Sequence, residues 1–232
     1  MPTILSIETS SELASAALLI GERVFSRASS GVQTHSHAIL PMVQELLAEA
    51  GIGLSLCDAI AFGAGPGSFT GVRTACGIAQ GLAFGANLPV VQVVTLMAMA
   101  EACRKRSRAV DVLAVLDARM NEVYWAQYRY ADGWQTITAP TLSAASAVAP
   151  QGTVLACGSG LSAYASVFDL IDFGGGRLPE IMPHAVQVAQ LASKMFLAGD
   201  TVIVRDAQPL YLRNKIALTT AERAAKNIEV AA

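Results

Sequence analysis

The spacing of apolar and polar residues changes along the chain, and each change marks an element. Thr3 to Thr9 reads TILSIET, Ala14 to Ile20 reads ASAALLI, and Arg23 to Ser29 reads RVFSRAS, with Ser-Ser-Glu and Gly-Glu turns between them. Short runs with two-residue alternation and tight turns predict three strands in an antiparallel meander. The period then lengthens. In SHAILPMVQELLAEAG, Ile39, Met42, Val43, Leu46, Leu47 and Ala50 fall three and four residues apart. They line one face of a helix that Gly51 ends.

From Asp58 the pattern is strand, helix, strand, helix: DAIAFGAG, TGVRTACGIAQGLAFGA, LPVVQVV and TLMAMAEACRKR, the last with basic residues at its end. This alternation predicts parallel pairing and an α/β sheet. DVLAVLDAR and NEVYWAQYRYADGW then predict a hairpin, with Val123, Trp125 and Gln127 on one side and Tyr124, Ala126 and Tyr128 on the other. A second unit therefore begins near residue 107, dividing the chain into 1–106 and 107–232. The stretch after the hairpin is poorly periodic. GTVLACGSG reads as a strand, DFGGGRLPE as a glycine-rich loop, and HAVQVAQLASKMFLAG as a helix near 184–199. The segment 184–232 is expected to pack back on the first unit, with a frayed end. With no internal repeat and no low-complexity linker, the two units are expected to share an interface.

Composition supports a large core, since 53% of the 232 residues are hydrophobic and only 15% charged. A net charge of −2 lacks the clustered basic excess that neutralises nucleic-acid phosphates. The cysteines Cys57, Cys76, Cys103 and Cys157 are too scattered for a zinc site and read as reduced, buried thiols. The start of the chain has no basic region ahead of an apolar one, so a cytoplasmic location is expected. Thr74 to Ala100 carries no charge over 27 residues, enough to span a bilayer, but GANLPVV breaks it into helix, turn and strand.

The richest candidate for chemistry is GAGPGSFTGVRTACG, residues 63–77. A phosphate-binding P-loop needs Lys and then Ser or Thr after its last glycine, whereas Gly71 is followed by Val72 and Arg73. The dinucleotide fingerprint fails too, because Ser68 stands in its third glycine position. Two readings stay open: a plain strand-to-helix turn capped by Ser68 or Thr70, or a weak anion site built from Gly65, Gly67, Ser68 and Thr70. In the helix that follows, Gly77, Gly81 and Gly85 recur every four residues and share one face with Ile78 and Leu82 beside it. Each glycine costs about 1 kcal/mol against alanine inside a helix, so close approach of another surface must compensate. That surface is either this chain's own core or a partner.

Elsewhere the signals are thinner. His35 and His37 are two apart and cannot grip a metal from one helical face, and His184 is remote. Asp117, Arg119 and Glu122 surround a turn, where an Asp–Arg ion pair competes with an acid–base role. Glu8 ends the first strand beside Thr9, Ser10 and Ser11. No Ser/His/Asp or Cys/His signature is present.

In order along the chain, ILSIETSSE, HSHAILPMV, GAGPGSFTGVRTACGIAQGLA, LPVVQVVTL, LDARMNEVYWAQY and PLYLRN resemble the TsaB (YeaZ) family of tRNA threonylcarbamoyladenosine synthesis. The likeness is tight to about residue 130, loose to 200, and tight again at Tyr211 to Asn214; Pro66, Phe69, Arg73, Asp117, Arg119 and Glu122 carry its motifs. The resemblance implies an α/β fold similar to the actin, sugar-kinase and heat-shock-chaperone ATPases, with two related lobes. It implies an accessory subunit without catalytic residues, metal or confidently bound cofactor. ATP and metal serve its partners, the transferase TsaD and the ATPase TsaE, and tRNA is met only through the complex. The interface with TsaD is expected on Ile39, Met42, Val43, Leu46, Gly77, Ile78, Gly81, Leu82 and Gly85, which also suit a homodimer when TsaD is absent. Many relatives end the first strand Asp-Thr where this chain has Glu8-Thr9. The alternatives are a sugar-kinase-type phosphotransferase and a metallopeptidase-like protein.

Overall fold

A computed structural model describes residues 1–30 and 35–213; the side chain of His35 and the tail from Asn214 lie outside the described residues. Strands β1 (Thr3–Glu8), β2 (Leu13–Ile20) and β3 (Arg23–Ser30) form the expected meander. Helix α1 (His35–Ala50) follows, and Gly51 leaves it at φ +68°, in the left-handed region open to glycine. β4 (Ala59–Gly65), α2 (Phe69–Ala86) and β5 (Val90–Val94) add two parallel strands, giving the order β3-β2-β1-β4-β5.

Helix α3 (Thr95–Ser107) leads to a second sheet of β6 (Asp111–Asp117), β7 (Glu122–Tyr130), β8 (Trp134–Ala144), β9 (Val154–Cys157) and β10 (Gly174–Leu178). Its order, β10-β9-β6-β7-β8, repeats the plan of the first: three antiparallel strands, then two parallel ones beside the first of the three. This is the pair of related lobes that the resemblance implies, although the sequence itself shows no repeat. The repetition is one of topology, which alternation alone specifies, so different residues fill equivalent places. β8 and β10 were not anticipated. β8 is an edge strand with no buried position and so shows little alternation. β10 reads GGGRL because a side chain at Gly175 would overlap the Val154 carbonyl.

Both faces of each sheet are covered. Leu5, Ile7, Leu18, Ile60 and Phe62 pack under α1 and α2, while Ile4, Ala61, Val91 and Val93 pack under α6 (Ala185–Leu197). In the second sheet Val112, Ala114 and Tyr128 face α3, and Val115 and Trp125 face the short α4 (Gly160–Ala163) and α5 (Ala165–Phe168). Each fully buried aliphatic or aromatic side chain stabilises the fold by about 1.5–3 kcal/mol. α3 and α6 touch one another, and Ala98 of α3 joins the cluster under α6. Ile39, Met42, Val43 and Leu46 turn inward to the first sheet and are buried. This corrects their expected place at a partner interface: the apolar stripe of α1 is core. No helix among the described residues is long and apolar enough to cross a membrane, and all four cysteines are free and buried.

α6 is pinned to the first sheet by alternating serines. Ser6 Oγ donates to the Ala185 carbonyl at 2.8 Å, and the Ala185 amide donates to Ser15 Oγ at 2.9 Å. One residue earlier, His184 Nδ1 accepts the Val186 amide at 3.1 Å and caps the helix. Burial lowers the His184 pKa below its ordinary 6.5. A base whose folded pKa is depressed contributes stability above its unfolded pKa and loses it as pH falls through the folded value. Urea melts at pH 7.5 and 5 are expected to show this loss in the native chain and its absence in His184→Asn, which keeps a cap without titrating. His184→Ala is expected to cost about 1 kcal/mol at pH 7.5.

Candidate functional site

β1 delivers Glu8 to the end of the first sheet, where its side chain is completely buried. Glu8 Oε1 accepts the Ser10 amide at 2.7 Å, and Thr95 Oγ1 donates to Oε2 at 3.4 Å while itself accepting the Gly65 amide at 3.1 Å. Loss of hydration pushes the carboxyl above the usual carboxylate range, and the hydrogen bonds from Ser10, Thr95 and Thr9 offset that only in part. The space Glu8 occupies exists because residue 63 is glycine, as a Cβ there would overlap its carboxylate.

The glycine loop lies directly on this strand end. Ser68 N donates to the Ser10 carbonyl at 2.7 Å, and Thr9 Oγ1 donates to the Gly71 carbonyl at 2.7 Å. A Cβ at Gly71 would overlap the Thr9 carbonyl, and one at Gly67 would meet the Ser10 carbonyl. Backbone contact between the two turns is thus the reason for these glycines. Ser68 is the N-cap of α2 and accepts the Gly71 amide at 3.4 Å. Thr70 is an exposed residue of the first turn, Gly65 sits beneath the Leu210 carbonyl, and Pro66 is buried.

Beyond the loop, α2 divides into two faces. Val72, Ala75, Cys76, Ala79 and Ala83 enter the core, with Ile78 and Leu82 half-buried at its margin. The outer face carries Arg73, Gly77, Gly81 and Gly85 at four-residue intervals. Apart from the adjoining backbone of α2 itself, no atom of the described chain comes within 4 Å of a Cβ built on any of the three glycines. Phe84, three residues from Gly81 and hence on the same face, is 78% exposed. Reading the chain alone did not single out Phe84, although its spacing from Gly81 holds the signal. Arg73 lies over the Phe69 ring at 3.2 Å and near Tyr211 at 4.8 Å.

Between the lobes is a cleft of about 330 Å³ lined by Ser10, Glu12, Ser68, Phe69, Asp117 and Arg119 among others; Glu8 is not part of its wall. The β6–β7 turn projects into it with Arg119, Met120 and Asn121 all at positive φ, an uncommon conformation for side-chain-bearing residues. Asp117 Oδ1 accepts the Arg119 amide at 2.8 Å and the Tyr164 hydroxyl at 3.0 Å. Arg119 pairs with Asp117 at 3.2 Å and, across the cleft, with Glu12 at 3.3 Å. Glu122 points elsewhere and pairs with Arg213. Both carboxylates facing the cleft are therefore held by one guanidinium. Among the described residues no group of three His, Cys, Asp or Glu side chains could hold a metal ion.

Two sheets of identical plan, each sending a turn into a shared cleft, define a two-lobed α/β protein built on a repeated topology. The sequence profile described as "TsaD: tRNA N6-adenosine threonylcarbamoyltransferase" matches residues 22–225. Two proteins described as tRNA threonylcarbamoyladenosine biosynthesis protein TsaB are similar over most of their length. The Haemophilus influenzae protein is 40% identical, covering 92% of this chain and 94% of its own, and the Escherichia coli protein is 39% identical, covering 92% and 96%. A solved structure, YeaZ from Pseudomonas aeruginosa, matches with a TM-score of 0.86 at 36% identity over 91% of this chain and all of that one. The chain belongs to the TsaB (YeaZ) family.

Two outcomes are expected at the strand end. Glu8→Gln removes a carboxyl whose folded pKa is raised, a group that favours folding below its unfolded pKa and loses that contribution as pH rises through the folded value. The variant should melt higher than the native chain at pH 7.5, and the difference should shrink toward pH 4. Gly71→Ala forces backbone atoms apart and should lower stability by about 2–4 kcal/mol in denaturant titration.

Proposed function

We propose that this chain is a non-catalytic subunit in the formation of threonylcarbamoyladenosine beside the tRNA anticodon. Its task is to dock the outer face of α2 on the catalytic transferase TsaD. The ATPase TsaE joins the assembled pair, and tRNA meets this chain only within the complex, in keeping with a net charge of −2. Membership in a family whose characterised relatives are described as threonylcarbamoyladenosine biosynthesis proteins supplies the pathway.

One observation carries the docking surface. Gly77, Gly81 and Gly85 together weaken α2 by about 3 kcal/mol relative to alanine, and no contact within the described chain offsets that. A smooth helix face beside an exposed Phe84 lets a second helix approach closely, with the aromatic ring as anchor. The half-buried Ile78 and Leu82 extend its apolar margin. When TsaD is absent the same smooth helix face can meet its like on a second copy across a two-fold axis.

A phosphotransferase needs a carboxylate facing bound phosphate and metal. Glu8 is sealed behind Gly63 and the Ser10 turn, and Glu12 and Asp117 are engaged by Arg119, so the accessory reading is the better supported.

The test separates folding from docking. Gly81→Ala is expected to raise the stability of the isolated chain by about 0.5–1 kcal/mol, because nothing clashes and a helix-weakening residue is removed. Gly81→Leu should fold normally yet fail to co-purify with TsaD. Undiminished binding of Gly81→Leu refutes the proposed interface.

A further inference from the structure

Residues 207–213 cross the mouth of the cleft as an irregular strand of chain that grips both lobes. On the first lobe, Gln80 Nε2 donates to the Ala207 carbonyl at 2.9 Å, and the Leu210 amide donates to the Ala64 carbonyl at 2.7 Å. Gln92 Nε2 donates to the Gln208 carbonyl, and the Tyr211 ring sits beside Arg73. On the second lobe, Arg213 Nη2 donates to the Glu122 carboxylate and to the Ala118 carbonyl at 3.1 Å, while Nη1 approaches Met120 Sδ at 3.2 Å. Leu210 to Arg213 also form part of the cleft wall.

The spacing of these anchors has a mechanical consequence. Leu210 is tied to the end of β4 and Arg213 to the β6–β7 turn, with only three residue steps between them, which reach at most about 10–11 Å when extended. Two lobes joined in this way cannot swing apart at the mouth unless one anchor lets go. A second tie across the cleft, Arg119 to Glu12, is a pair of largely exposed side chains, 75% and 58% accessible, and such pairs hold weakly in water. Arg213 is 17% exposed, and its charge-assisted bonds are of the stronger kind.

We propose that residues 207–213 are a latch that fixes the separation of the two lobes, with the Arg213–Glu122 pair as its release point. Hinged closure around a ligand is the usual motion of paired lobes. The latch replaces that motion with a rigid body, whichever protein docks on α2. A latch works only while both ends hold, so loss of either end must have the same effect.

Amide exchange of the full-length chain, followed by mass spectrometry, provides the test. Arg213→Gln releases the second-lobe end and Leu210→Pro removes the donor at the first-lobe end. In both variants the turn amides of Ala118 and Glu122, which bond to the Glu122 and Arg119 carbonyls, are expected to exchange roughly five- to thirtyfold faster, with β1 and β4 unchanged. Native protection of the turn in either variant, or acceleration spread evenly through both sheets, overturns the latch. Glu122→Gln offers a third variant on the release point and should match Arg213→Gln.

Discussion

The structure depends on a backbone-to-backbone contact at the end of β1. Three consecutive residues, Glu8, Thr9 and Ser10, lie against a loop that can come this close only because positions 63, 67 and 71 have no side chain. The contact pairs the Ser10 carbonyl with the Ser68 amide and the Thr9 hydroxyl with the Gly71 carbonyl, while the Glu8 carboxyl accepts the Ser10 amide within its own turn. Leaving any of these unpaired in a dry interior would cost about 1–3 kcal/mol. From this contact follow the starting point of α2, the direction of its outer face and the first-lobe wall of the cleft.

Glycine serves two opposed purposes within twenty-five residues of this chain. In the loop, its lack of a side chain is used up by the protein's own backbone. In α2, the same lack leaves a bare surface that weakens the helix and receives nothing in return inside the described chain. The first use concerns folding, and the second is intelligible as a surface kept for another molecule, the basis of the proposed docking on TsaD. Chemistry at the cleft is restrained by the same economy: its acidic groups face arginine, and the one carboxyl in the position nearest the loop is enclosed.

The two sheets are joined through the helices packed between them. α3 and α6 fill the space between the sheets, and the segment after α6 returns across the cleft to Arg213. Under the proposed latch, the second lobe braces the first and keeps the outer face of α2 in one orientation.

Much of this was legible beforehand, for identifiable reasons. The helices with strong three-to-four spacing were predicted because each buries one stripe, and the meander and the β4–α2–β5 unit because short apolar runs stand between clear turn signals. β8 and β10 left none, being edge strands in which solvent exposure and close backbone approach replace alternation. The glycine loop could be stripped of its nucleotide-binding readings from residue identity, and the family motifs were visible. By itself, then, the sequence determined most of the elements, the motifs they carry and the helix-weakening run of glycines in α2. Tertiary structure alone decided that no surface covering those glycines comes from the described residues, that Ile39, Met42, Val43 and Leu46 belong to the core, and that Arg213 meets Glu122. Those outcomes turn on which faces are brought together over long sequence separations, and local periodicity carries no record of that.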